Sequence, residues 1–215
     1  SLRSMNRSPG MNASRNDTAI LLVNGILSDG KQSVDRFRPL LHDHFAVVDF
    51  RYPWTGPIMA GFRKFQLRHG RMLANRALQL NRQGLTRLSV IAHSFGSVVT
   101  FRSMFEPGVH FENVFLFNGA IEDNYPWPPE GFKRLVNFHD ARDFALTAGS
   151  ILPGHVFGNM GKTGYSGRPP DSRIENFPIE GPANGLRHSV AFRPGRIEYY
   201  AEIIRSVMAG EPIAA

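Results

Sequence analysis

The sequence predicts an α/β fold, a single-domain and mostly parallel sheet flanked by helices. Short, almost wholly apolar runs recur along the chain, as expected of strands buried on both faces of a sheet. Between them lie longer stretches whose apolar residues recur at helical spacing, the alternation that calls for right-handed crossovers and a two-sided helical cover. Polar turns come after the apolar runs, at the strand ends where such sheets bind ligands.

Residues 1–17 are polar and unpatterned, rich in Asn, Ser, Arg, Pro and Gly, and are excluded from the fold as an arm or a non-native end. Thr18 to Gly25 is the first strand, stopped by Asn24-Gly25. A loop from Ile26 to Lys31 leads into a helical stripe of Val34, Phe37, Leu40 and Leu41. Phe45 to Arg51 is a second strand, followed by Tyr52-Pro53-Trp54-Thr55-Gly56-Pro57, whose prolines bar helix and central strand. From Gly61 to Val90, Phe62, Phe65, Leu73, Ala77 and Leu80 mark an amphipathic helix, and the run Leu88 to Ala92 is the third strand.

Ser97 to Phe105 is helix-compatible and Glu106-Pro107-Gly108 stops it, before a fourth strand over Val114 to Gly119. Asp123 to Gly131 holds Pro126, Pro128 and Pro129 between Tyr125 and Trp127, a rigid loop expected over the ligand edge. Arg134 to His139 is the fifth strand, Phe144 to Ala148 a short helix, and Gly149 to Asp171 a long Gly-, Ser- and Pro-rich loop with the potential of a lid. Ile174 to Ile179 is a last strand. Gly195 to Met208 is a closing helix with Ile197, Tyr200, Ala201, Ile204 and Val207 inward.

The 215 residues, 42% of them hydrophobic, suit one domain over 18–215 with a substantial core. No apolar stretch reaches the roughly 18 residues that cross a bilayer, and the N-terminus has no signal-peptide pattern. The chain therefore reads as soluble, and as cytoplasmic in preference to exported. With no cysteine there is no disulfide, thiolate nucleophile or cysteine metal site. The net charge is +7, and Arg63, Lys64, Arg68, Arg71, Arg76, Arg82 and Arg87 fall in one stretch without an acidic residue. That stretch reads as a solvated helix face, with attraction to an anionic surface as the sharper alternative. No nucleic-acid motif accompanies it.

The centre of the chemistry is Ala92-His93-Ser94-Phe95-Gly96, set between a strand and a helix. A serine on so tight a turn needs small neighbours two positions away, which Ala92 and Gly96 supply, and it presents its hydroxyl at the sheet's ligand edge. Ser94 is thus the candidate nucleophile. A hydroxyl needs a base and an acid that orients the base. His188, beyond the last strand, is the candidate base and His155 its substitute. His93 is expected to point away from the reacting centre, and His42, His44, His69 and His110 to lie elsewhere.

Asp143, just past the fifth strand, is the candidate acid; it also suits the N-cap of the helix after it. Asp140 is the alternative, and Asp123 a distant third. Backbone N–H groups of Phe95 and Ile26 are the candidate oxyanion donors, with Asn24 bracing the Ile26 loop and Gly25 letting the backbone approach closely. Without Ser94, Asn24-Gly25 would be an ordinary turn signal. Tyr52, Trp54, Tyr125 and Trp127 are the candidate walls of an apolar substrate pocket.

The order Ser94, Asp143, His188, each after its own strand, resembles the α/β-hydrolase superfamily. The segment Ala-His-Ser-Phe-Gly is similar to the elbow of compact bacterial lipases in which alanine replaces the first glycine. At Asn24-Gly25-Ile26 the chain departs from the usual His-Gly, a change that leaves the N–H of Ile26 in place. The resemblance spans Thr18 to Met208 and implies a minimal member without a large cap. It implies a serine ester hydrolase acting on small-molecule or lipid esters through an acyl-enzyme, with no metal or organic cofactor. Thioesterases, peptidases and acyltransferases use the same triad. A non-catalytic hydrolase-fold protein that binds an anionic partner through the basic helix is the alternative from another class.

Overall fold

A computed structural model describes residues 17–26, 33–53, 62–151, 157–180 and 187–213. Six strands, β1 (Thr18–Val23), β2 (Ala46–Phe50), β3 (Arg87–His93), β4 (Phe111–Phe117), β5 (Phe132–His139) and β6 (Ile174–Pro178), form one sheet in the order β2-β1-β3-β4-β5-β6. Every pairing is parallel. The registers Val23 with Ala92, His93 with Phe117 and Phe117 with Phe138 bring the ends of the four central strands level. The segments after β1, β3, β4 and β5 therefore emerge along a single edge.

Among the described residues, six α-helical segments accompany the sheet: α1 (Arg38–Leu41), α2 (Arg63–Arg82), α3 (Phe95–Ser103), α4 (Phe144–Ile151), α5 (Met160–Thr163) and α6 (Ile197–Met208). A 3₁₀ turn over Val34–Phe37 precedes α1, and a kinked 3₁₀ segment over Arg187–Phe192 precedes α6. Strand residues alternate between two cores, because successive side chains point to opposite faces. Leu21, Val23, Val90, Ala92 and Leu116 pack under α2 and α3, whereas Ile20, Leu22, Ile91, Phe115 and Phe117 pack under α6 and the Val34–Phe37 turn.

Helix α3 is buried on nearly every side, yet it carries Ser97, Thr100 and Ser103. Each hydroxyl is satisfied within the helix or its cap: Ser97 donates to the Ser94 carbonyl, Thr100 to that of Gly96 and Ser103 to that of Thr100. Such back-bonding lets hydroxyl residues enter a core without orphaned donors. Helix α6 buries Ile197, Tyr200, Ala201, Ile204 and Val207 as its period predicts, and Ile203 as well.

Several expectations need correction. The fourth strand begins at Phe111 rather than Val114, because the polar pair Glu112-Asn113 sits at its half-buried start and interrupts the apolar run. The span 149–171 is not a single open loop. Within it, main-chain N–H groups of Gly158, Met160 and Gly161 donate to the carbonyls of Ala120, Ile121 and Gly119, so the approach to α5 is zipped onto the segment after β4. The basic stretch forms α2, where Arg63, Lys64, Arg68, Arg71 and Arg82 are exposed and Arg71 pairs with Glu106. Among the described residues no helix is long and apolar enough to cross a membrane.

Phe117 lies at the meeting point of one core. It stacks on Phe138 at 4.4 Å and also touches Phe37, Phe192 and Tyr200. Phe117→Ala is expected to cost about 3–5 kcal/mol, read as a lowered urea midpoint with an unchanged slope.

Candidate active site

Ser94 comes directly after β3 with φ 54° and ψ −125°, a left-handed conformation that side-chain-bearing residues rarely adopt. Three hydrogen bonds converge on its carbonyl oxygen, from Ser97 N at 3.0 Å, Ser97 Oγ at 2.5 Å and Ala120 N at 3.2 Å. Its own N–H donates to the Phe117 carbonyl at 3.0 Å. Strain of this kind persists only where surroundings over-determine it, and it clusters at functional sites. Gly96 completes the turn, since a Cβ there would collide with the carbonyl oxygens of Val23 and Asn24.

That close approach brings the end of β1 against the turn. A Cβ on Gly25 would lie 3.0 Å from Ser94 Cβ and 3.5 Å from its Oγ, so Asn24-Gly25-Ile26 runs alongside the hydroxyl. Asn24 donates from Nδ2 to Asp35 at 2.7 Å, and its carbonyl accepts the Tyr52 hydroxyl at 2.6 Å. Burial pushes the Tyr52 hydroxyl well above the ordinary tyrosine value, which keeps it protonated and donating. The Tyr52 ring meets Phe95 and His69 at 6.1 and 5.0 Å. Tyr52 thus stands beside the elbow as a brace of the Ile26 loop.

Beyond β5, Asp143 is fully buried and its two oxygens do different work. Oδ1 accepts the N–H groups of Ala145 and Leu146 at 3.0 and 3.2 Å and so caps α4. Oδ2 lies 2.6 Å from Nδ1 of His188 and 2.8 Å from Nδ2 of Asn118. Burial works to raise the carboxyl pKa. The bonds from His188, Leu146 and Asn118 and the nearby His188 charge outweigh it and hold Asp143 below the usual carboxylate range. A carboxylate only accepts, so Nδ1 of His188 carries a hydrogen and Nε2 holds the lone pair in the neutral ring. Among the described residues neither Ser94 Oγ nor His188 Nε2 makes a hydrogen bond, and such contacts commonly tighten only with substrate present.

Asp140 lies elsewhere. Its Oδ2 accepts Nε of Arg187 at 2.5 Å, both side chains are almost wholly buried, and the N–H of Arg142 donates to Oδ1 at 3.0 Å. It is committed to the residue before His188, not to His188 itself. Asp123 accepts the Thr163 hydroxyl, also away from His188. His155 and Trp54 lie outside the described residues.

The structure does not bring Tyr125 and Trp127 to the elbow. Both pack on Phe101, at 5.7 and 4.9 Å, two residues from the far end of α3, and Trp127 also meets Phe132 at the start of β5. The proline loop crosses from one edge of the sheet to the other, and its aromatic residues seal the distant end. His93, expected to point away, instead meets His188. Asn118 is a residue that the sequence reading misses: its φ of 49° turns the chain after β4, and its amide steadies Asp143. The Asn-Gly pair at 118–119 is the signal that marks it.

No family model and no curated protein matches this sequence. Solved structures do resemble its fold. A Xanthomonas campestris protein of the α/β hydrolase superfamily superposes with a TM-score of 0.50 at 14% identity, over 88% of this chain and 99% of that one. Esterase PE8 superposes with a TM-score of 0.52 at 12% identity, over 90% of this chain and 94% of the other. The chain has the α/β-hydrolase fold. At these identities the likeness is one of architecture.

Two stability measurements test this arrangement. Asp140→Ala leaves the Arg187 guanidinium buried without its carboxylate, at a cost of about 3–5 kcal/mol in urea unfolding. Because the Asp143 carboxyl is depressed in the fold, its ionised form contributes stability above the ordinary carboxylate pKa, and that contribution is lost as pH falls through the native value. The deficit of Asp143→Asn is therefore expected to be full near pH 7 and to shrink below about pH 4, measured by parallel urea titrations.

Proposed function

We propose that this chain is a serine carboxylic-ester hydrolase working through an acyl-enzyme. The observation that carries the reading is the 2.6 Å bond from His188 Nδ1 to a buried Asp143 beside a serine held at positive φ. Ser94 Oγ attacks the ester carbonyl while His188 Nε2 takes its proton, and Asp143 stabilises the resulting imidazolium. The negative oxygen of the tetrahedral intermediate is received by the N–H groups of Ile26 and Phe95, which flank Ser94 from β1 and from the start of α3.

Collapse of the intermediate breaks the bond to the leaving alkoxide, and the imidazolium returns the proton to release an alcohol. Water, deprotonated by His188, then attacks the acyl-serine; the acid leaves and Ser94 recovers its hydrogen. Likeness in fold to esterase PE8 is in keeping with an ester substrate. Tyr52, beside Phe95, is the one aromatic of the expected substrate wall that stands next to the elbow in the described residues.

The test is turnover of p-nitrophenyl esters of graded chain length, together with labelling by a fluorophosphonate probe. The parent is expected to hydrolyse at least one ester and to be labelled at Ser94. Ser94→Ala should lose both properties, His188→Ala should lower kcat by about 10⁶-fold and Asp143→Asn by about 10⁴-fold. A folded parent that neither turns over nor labels overturns the reading.

A further inference from the structure

The geometry points to His93 as a positioning residue that clamps the main chain of the base. This inference rests on the serine-hydrolase reading. Nε2 of His93 lies 2.8 Å from the carbonyl oxygen of His188. A carbonyl only accepts, so Nε2 carries the hydrogen and donates it, which leaves Nδ1 as the lone-pair nitrogen of a neutral ring. Nδ1 in turn lies 3.3 Å from Oγ of Ser33, a buried hydroxyl that donates to it. Both ring nitrogens are thereby used, and each hydrogen bond fixes the tautomer the other needs.

Burial and the neighbouring His188 push the His93 pKa down to about 3, so the ring stays neutral at working pH and Nδ1 keeps the lone pair that accepts from Ser33. The ring is also wedged: its centroid is 4.6 Å from that of His188 and 4.9 Å from Phe192, which meets it edge-on. His188 is consequently gripped at two ends, its side chain by Asp143 and its main chain by His93. Because His93 is bonded directly to Ser94, this grip sets the base relative to the nucleophile without passing through the rest of the sheet. Ser33 ties the same imidazole to the segment after β1, the strand whose end carries the proposed oxyanion donor Ile26.

A packing role and a clamp predict opposite orders for two substitutions. Phenylalanine keeps the ring and loses the donor, whereas glutamine loses the ring and places an amide N–H within reach of the same carbonyl. His93→Phe is expected to lower kcat and the fluorophosphonate labelling rate by about 10–100-fold, with KM nearly unchanged, as a misplaced base would. His93→Gln should stay within about threefold of the parent.

A second readout needs no turnover. The Nδ1 proton of His188, in its short bond to Asp143, is expected as a far-downfield NMR signal in the parent and in His93→Gln, and as a broadened or lost one in His93→Phe. If His93→Phe does not fold, His93→Asn, whose amide is one methylene too short, takes its place with the same expectation. Parental labelling by the donor-less variant, or a glutamine variant as slow as it, overturns the clamp. A folded parent that fails to label overturns the hydrolase reading instead, and the imidazole signal alone then decides the clamp.

Discussion

The left-handed backbone at Ser94 is the constraint on which the site depends. An L-residue in that conformation is unfavourable by roughly 1–3 kcal/mol, and here the surroundings hold it with three hydrogen bonds to one carbonyl. Two of those donors belong to Ser97, one turn into α3, and the third is the N–H of Ala120 after β4. The turn is therefore fastened both to its own helix and to the neighbouring strand. Gly96 lets the same turn touch the carbonyls that end β1. A tight turn in the middle of the sheet thus sets how closely its two neighbouring strands approach.

Around that turn the polar groups are arranged in pairs, each sharing one job with a structural one. Asp143 caps a helix with one oxygen and holds an imidazole with the other. Asn24 receives the Tyr52 hydroxyl and donates to Asp35. Buried polar groups are costly unless satisfied, and double use satisfies them with few residues. Asn118 shows the limit, since its amide nitrogen serves Asp143 while its Oδ1 is buried without a hydrogen-bond partner among the described residues.

Local chemistry decides how much of this is legible in the sequence. Apolar runs flanked by Gly, Asn and Pro locate the first five strands, and the small residues around Ser94 locate the elbow, because both patterns are written within a few consecutive residues; β6, Ile-Glu-Asn-Phe-Pro, is no such run. The choice between Asp140 and Asp143 is not local: it turns on Arg187, 47 residues beyond Asp140, which takes one carboxylate and leaves the other to His188. His93 escapes a sequence reading for the same reason, its partners being 60 and 95 residues away. Tyr125 and Trp127 escape it too, because a rigid loop of that length can cross the sheet as readily as it can cover one edge.

The Arg187–Asp140 pair has a bearing on motion. Lifting the segment that bears His188 would separate a buried guanidinium from its buried carboxylate, and breaking such a pair is strongly unfavourable. Opening by that route is steeply uphill. The segment bearing His188 consequently belongs to the rigid frame of the molecule and not to a moving cover, its anchor being a buried ion pair one residue from the imidazole.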